Sequence, residues 1–337
     1  MALQSALKKF GIDAYLIMLL GVVVLASILP ARGPFAEFVG QAAYYAVALL
    51  FFVYGAKLKS EAVIAGFSNW PLQLSILGLT YMVFPVIALA LAFAGRSFIT
   101  EELAIGLIYI GILPSTVQSS IAFTALARGN VAASVCAAAV SNLLGVILTP
   151  VLATLILQTG DGGLNLAAVL NIFIQIVLPF GLGQLCRPLI GEWINRHKLI
   201  SLTVDRGSIL LIVYAAFSAG MVAGVWTQVG LPQLAAIMVL VCVMLAVVLA
   251  LSAWFSRAVG FQDADGKSMI FCGSTKSLAS GVPIANILFA GGPLSLIILP
   301  LMLYHQLQLI ICAIIAQRLA GASKTSLGNG GTIKERP

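Results

Sequence analysis

The sequence predicts an all-α membrane protein, and three observations carry that prediction. The first is composition: of 337 residues, 61% are hydrophobic and 9% charged, whereas soluble domains carry about 25% charged residues. The second is that the apolar residues gather into ten transmembrane-length stretches of about 20, enough to cross the hydrocarbon core as a helix. The third is continuity. Barrel strands would be about ten residues long and half polar, so near-continuous apolar runs of this length must be helices.

The ten segments span 12–30, 36–56, 70–94, 103–126, 131–158, 164–186, 204–226, 232–256, 267–290 and 293–317. Segment 1 follows Lys8 and Lys9 as a signal peptide would, but at the head of ten spans it reads as a retained first helix. Segments 2 and 3 are separated by Lys57 and Lys59, and segments 4 and 5 by Arg128. Arg187, Arg196, Lys198 and Arg206 lie between 6 and 7, and Arg257 and Lys267 between 8 and 9. Arg318, Lys324, Lys334 and Arg336 close the chain. These loops and ends hold 15 of the 18 Lys and Arg, while the opposite side has Arg32 and Arg96. The positive-inside rule then places both termini in the cytoplasm of an integral, multi-pass protein, in the inner membrane if the source is bacterial. The net charge of +7 reflects this topology, with the lipid bilayer and no nucleic acid as partner. The longest hydrophilic stretches are 187–203 and a tail from Gly321 to Pro337, short and polar enough to be disordered. Cys136, Cys186, Cys242, Cys272 and Cys312 all fall in or beside apolar segments without metal-ligand spacing, and read as packing residues.

Lys276 is the one formal charge deep inside a segment. A cation there costs roughly 2.5–3.5 kcal/mol on insertion scales, so it marks a candidate functional site in a polar cavity. It lies about ten residues from either end of its segment, too far to snorkel to the headgroups. Removing so unfavourable a charge is expected to leave a folded protein.

Two segments are interrupted alike. In segment 4, LIYIGILPSTVQSS, Pro114 removes a backbone donor ahead of Ser115, Thr116, Gln118, Ser119 and Ser120. In segment 9, FCGSTKSLASG, Gly273 precedes Ser274, Thr275, Lys276 and Ser277. The Ser-Thr pairs coincide 159 residues apart, about half the chain. Two five-helix repeats, 1–160 and 161–318, must have opposite orientations because five is odd; 319–337 forms the tail. Inverted repeats with crossing discontinuous helices 4 and 9 are a design of secondary transporters. Elsewhere in the spans, Asn142, Asn171, Gln175, Tyr304 and His305 can line the same cavity or bond neighbouring helices.

Together with the two interrupted motifs, FFVYGAKLKSEAV, LTYMVFP and LYHQLQL resemble, in order and spacing, the bile acid:sodium symporter family. The likeness is to its divergent branch, which contains the seventh vertebrate paralogue. The resemblance implies a panel of helices 1, 2, 6 and 7, a core of helices 3–5 and 8–10, and substrate bound between them. It carries the first sodium site onto Ser119, Ser120 and Ser134, with Cys272 where the family has an essential Glu. The second site falls on Thr80 and Lys276, the Asn that follows on Ser277, and a substrate-contacting Asn on Gln306. A tethered ammonium thus stands where sodium's neighbours would be.

The expected function is a secondary active transporter moving a small organic anion by alternating access. Lys276 would replace the bound cation, pair with half-helix ends and hold the anion. Coupling to sodium or to protons stays open at this point. No Asp or Glu is placed in the membrane beside Lys276. The second reading is a non-transporting membrane regulator, which the divergent branch extends to calcium handling. A channel lacks a ring-forming filter repeat, and an enzyme lacks a nucleophile with its base, so no catalytic residue, cofactor or metal is assigned.

Overall fold

In the computed structural model, residues 14–57, 69–157, 173–224, 227 and 229–328 are described, without the side chains of 14–16, 173, 198 and 321–328. All regular structure among them is helical. The first half of the chain holds α1 (Ala14–Ile28), α2 (Pro34–Lys57), α3 (Trp70–Gly95), α4a (Glu101–Ile112), α4b (Gln118–Leu126) and α5 (Val131–Leu157). The second holds α6 (a π-turn Phe173–Val177 running into Leu178–Arg196), α7 (Lys198–Val222) and α8 (Leu231–Val259). It ends with α9a (Asp263–Ser274), α9b (Leu278–Leu288) and α10 (Leu294–Gly328).

Seven of these, α2, α3, α5, α6, α7, α8 and α10, are long and apolar enough to cross a membrane. Of the other predicted spans, α1 is shorter, and segments 4 and 9 are each divided into halves of 12 residues or fewer. The divisions have local causes. Leu113, ahead of Pro114, is extended (φ −77°, ψ 154°), as the residue before a proline prefers. Thr275 and Ser277 are extended too. Hydroxyls then restart both helices: Ser120 N donates to Thr116 Oγ1 (3.1 Å), and Ser280 N to Ser277 Oγ (3.1 Å).

Helix 6 differs from the expectation of a span at 164–186 and a polar loop at 187–203. α6 continues to Arg196 and α7 restarts at Lys198, with His197 alone between them. The charges that read as loop belong to an exposed helix end, where Arg196 pairs with Glu192 one turn away (3.1 Å). At the other end of the chain α10 runs on to Gly328, beyond Gly321 where the sequence predicts a polar tail.

α2, α6 and α7 pack on one another with α1 against α7, while α3, α4a, α4b, α5, α8, α9a and α10 pack as a second group. α7 meets α9b and α10 where the groups face. α2 and α6 approach closely because both carry glycine at the contact. A Cβ on Gly55 would run into the Phe180 carbonyl oxygen, and one on Gly183 into that of Phe52.

Candidate functional site

The two helix breaks touch. Ser277 N donates to Pro114 O (2.9 Å), Thr116 Oγ1 to Thr275 Oγ1 (3.2 Å), and Ser115 Oγ lies 3.3 Å from the same Thr275 hydroxyl. Neighbouring helices satisfy the freed backbone. Ser141 Oγ accepts from Ser115 N, Asn142 Nδ2 donates to Ser115 O, Thr149 Oγ1 to Ile112 O, and the Tyr304 hydroxyl to Ser274 O (2.6 Å). Every buried peptide group needs such a partner where no water enters.

Lys276 is fully buried between the breaks. Its Nζ donates to three backbone carbonyls, Leu113 (2.7 Å), Gly111 (2.9 Å) and Thr80 (3.0 Å), and lies 4.0 Å from the centre of the Phe84 ring. The origin of each acceptor can be traced. Gly111 and Leu113 sit at the carboxyl end of α4a, whose last carbonyls have no intrahelical donor and carry the negative end of the helix dipole. Thr80 lies in the π-turn Leu79–Val83, where Phe84 N bonds Leu79 O five residues back. In that register the next donor would be residue 85, a proline without an N–H, so Thr80 O is left for Lys276. The ammonium therefore sits in a closed nest of carbonyls. It is not among the cavity-lining groups, where the sequence had placed it.

Gln308 holds the Lys276 peptide from both sides, accepting from its N–H at Oε1 (2.7 Å) and donating from Nε2 to its carbonyl (2.8 Å). The same Nε2 lies 2.9 Å from His305 Nδ1. That amide nitrogen can only donate, so Nδ1 accepts in this contact, which at 2.9 Å outweighs its longer approach to Lys276 O (3.4 Å) and puts the ring's proton on Nε2.

A cavity of about 580 Å³ opens between the two helix groups. One wall is formed by the first turns of α4b (Thr116, Gln118, Ser119) and α9b (Ser277, Leu278, Ser280), with Asn142 and His305. The facing wall is Phe51, Tyr54 and Lys57 of α2, Phe180 of α6, and Asp205, Arg206 and Ile209 of α7. The Tyr54 hydroxyl donates to Asp205 Oδ1 (2.6 Å).

Of the sequence-predicted residues, Thr116, Gln118, Ser119, Ser277 and His305 line this cavity. Ser115, Ser274, Thr275, Lys276 and Thr80 are buried behind it. Thr124 joins Ser120 to Ser134: its Oγ1 donates to Ser120 O (2.8 Å) and lies 2.9 Å from Ser134 Oγ. Cys272 Sγ points to Ser134 O (3.8 Å). Gln306 belongs to neither group; Gln308, two residues on, makes the contact that the sequence had not assigned. The signal for it was its place one turn beyond Tyr304, on the same face of α10. Asp205, Tyr54, Lys57 and Arg206 were missed as cavity residues, so an acid does stand at the site. Gln175 instead bonds Tyr44 O (3.1 Å) at the α6–α2 contact, and Asn171 lies outside the described residues.

A helical membrane protein whose two broken helices meet behind a cavity has the parts of a secondary transporter. Residues 13–321 match the SBF-like CPA transporter family, and the chain belongs to that family. It is a family of transporters rather than enzymes, which makes this an integral, multi-pass membrane protein. The chain is 45% identical over 313 residues to YfeH of Escherichia coli (strain K12), whose name puts it forward as a symporter; the match covers 93% of this chain and 94% of that one. A Pseudomonas aeruginosa relative is 46% identical with the same coverage. The sodium/bile acid cotransporter 7 of Rattus norvegicus is 32% identical over 278 residues, 81% of each chain.

Proposed function

We propose that this protein is a secondary active transporter that carries a small organic anion by alternating access without a sodium requirement. Its framework is ten transmembrane helices in two inverted five-helix repeats, with both termini cytoplasmic. The observation that carries the reading is the division of charge at the breaks. The carboxyl end of α4a is filled by the protein's own ammonium, whereas the amino ends of α4b and α9b face the cavity. Helix amino ends offer free N–H groups and positive potential to an anion. The His305 imidazole, with its proton on Nε2, stands on the same wall.

Lys276 and Thr80 are the two positions onto which the resemblance carries the second sodium site, and here they bond each other. A permanently tethered cation leaves an external ion nothing to coordinate at this point. Among the described residues, Ser120 Oγ, Ser134 Oγ and Cys272 Sγ bond hydroxyls and backbone carbonyls rather than a carboxylate that would supply the charge of the first site. Lys276 thus supports the anion site from behind rather than touching the anion.

Proteoliposomes supplied with a panel of labelled organic acids test this reading. Uptake of at least one acid above empty vesicles, equal in sodium and choline media, is the expected result. A sodium requirement would overturn the coupling, and absence of uptake for acids that bind the purified protein would favour the regulator.

A further inference from the structure

The two walls of the cavity have different chemistry. The α4b and α9b wall offers donors to an anion, whereas the opposite wall carries Asp205, the one acid among its described lining residues, beside Lys57 and Arg206. Asp205 Oδ1 is held by the Tyr54 hydroxyl at 2.6 Å, and among the described residues Oδ2 has no hydrogen-bond partner. Lys57 and Arg206 are the cations nearest in charge to it. Lys57 is the last residue of α2, where its ammonium also balances that helix's negative end. Between the walls the lining is apolar, with Phe51, Phe123, Phe180 and Val146.

We propose that Asp205, positioned by Tyr54, forms a second subsite that accepts a hydroxyl or ammonium group at the far end of the substrate and rejects a second acidic group. The inference rests on the reading of the cavity as an anion site and gives the substrate a class: an amphipathic acid with a hydrogen-bond donor distal to its acidic group. The physical basis is that a carboxylate withdrawn from bulk water needs a donor at each exposed oxygen, and a substrate group without one leaves it unpaired. A second carboxylate beside Asp205 adds like-charge repulsion. An apolar body on the ligand fits the ring-lined middle.

Four probes of equal length separate the possibilities: octanoate, 8-hydroxyoctanoate, 8-aminooctanoate and octanedioate. Dissociation constants are read from the dose dependence of thermal stabilisation of the full chain in detergent. In the unaltered protein 8-aminooctanoate and 8-hydroxyoctanoate are expected to bind about tenfold or more tighter than octanedioate, the ratio that one charge-assisted hydrogen bond supplies. Asp205→Asn should bring that ratio to within about threefold while octanoate binding holds, which marks the acid as a discriminator rather than a structural prop. Asp205→Ser serves the same purpose if the Asn variant does not melt cooperatively, and Tyr54→Phe should erode the ratio in part. Octanedioate binding as tightly as 8-aminooctanoate, or a ratio unmoved by substitution at Asp205, overturns the subsite and leaves the anion site standing. Failure of all four probes to bind overturns both.

Discussion

Replacing Lys276 by methionine would strip the donor from three buried carbonyls at once while keeping most of the side-chain volume. Each unpaired buried group costs about 1–3 kcal/mol, so Lys276→Met is expected to lower stability by several kcal/mol, seen as an earlier thermal melt in detergent. A melt unchanged from the unaltered protein would mean that the carbonyls find other partners. The sequence supports the opposite expectation for this residue, because a lone buried charge without visible partners reads as a burden. Its position was legible from charge placement, but its partners are backbone atoms, which leave no residue type to read. The same reasoning covers Gln308, whose amide bonds both sides of the Lys276 peptide. Gln308→Leu should cost about 1–3 kcal/mol in the same melt and release the ring of His305 from its fixed tautomer.

Pro85 shapes α3 so that Thr80 O is left over, which makes the π-turn a property of two residues rather than of the whole helix. Pro85→Ala restores an N–H able to bond Thr80 O, and Lys276 then competes with its own framework for that acceptor. The two substitutions Pro85→Ala and Lys276→Met are therefore expected to be non-additive in a double-mutant cycle of melting free energies, with a coupling of about 0.5–3 kcal/mol. Additivity within a few tenths would show that Thr80 is satisfied independently. At the α2–α6 contact the glycines act in pairs. Gly183→Ala places a methyl against the Phe52 carbonyl, and the two helices must part, at about 1–3 kcal/mol. Both breaks were readable from Pro114 and Gly273, because helix breakers act locally. The course of α6 through Arg187 and Arg196 was not, since its charges are tolerated only by an exposed helix face.

The cavity belongs to the whole molecule, and this is why its far wall was invisible in the sequence. Tyr54 and Asp205 are 151 residues apart, and each ends or begins an apolar run with no motif around it. Only the packing of α2 against α7 makes them neighbours. The near wall was legible because the breaks gather hydroxyls in sequence before they gather them in space. What the sequence carries at this scale is orientation. The charge bias puts Arg128 and Arg257, the latter in the last turn of α8, on the side of the cytoplasmic tail, and Arg32 and Arg96 on the opposite side. In a background where Cys186 and Cys242, the two free thiols that are not buried, are replaced by serine, a single cysteine at Arg96 should react with a membrane-impermeant maleimide in intact cells. A cysteine at Arg257 should react only after permeabilisation. The reverse order of labelling would reverse the insertion, and equal labelling of both in intact cells would refute it. The two sites flank five predicted spans, 4 to 8, so the same pair of labels also tests whether the two halves of segment 4 together cross the bilayer once.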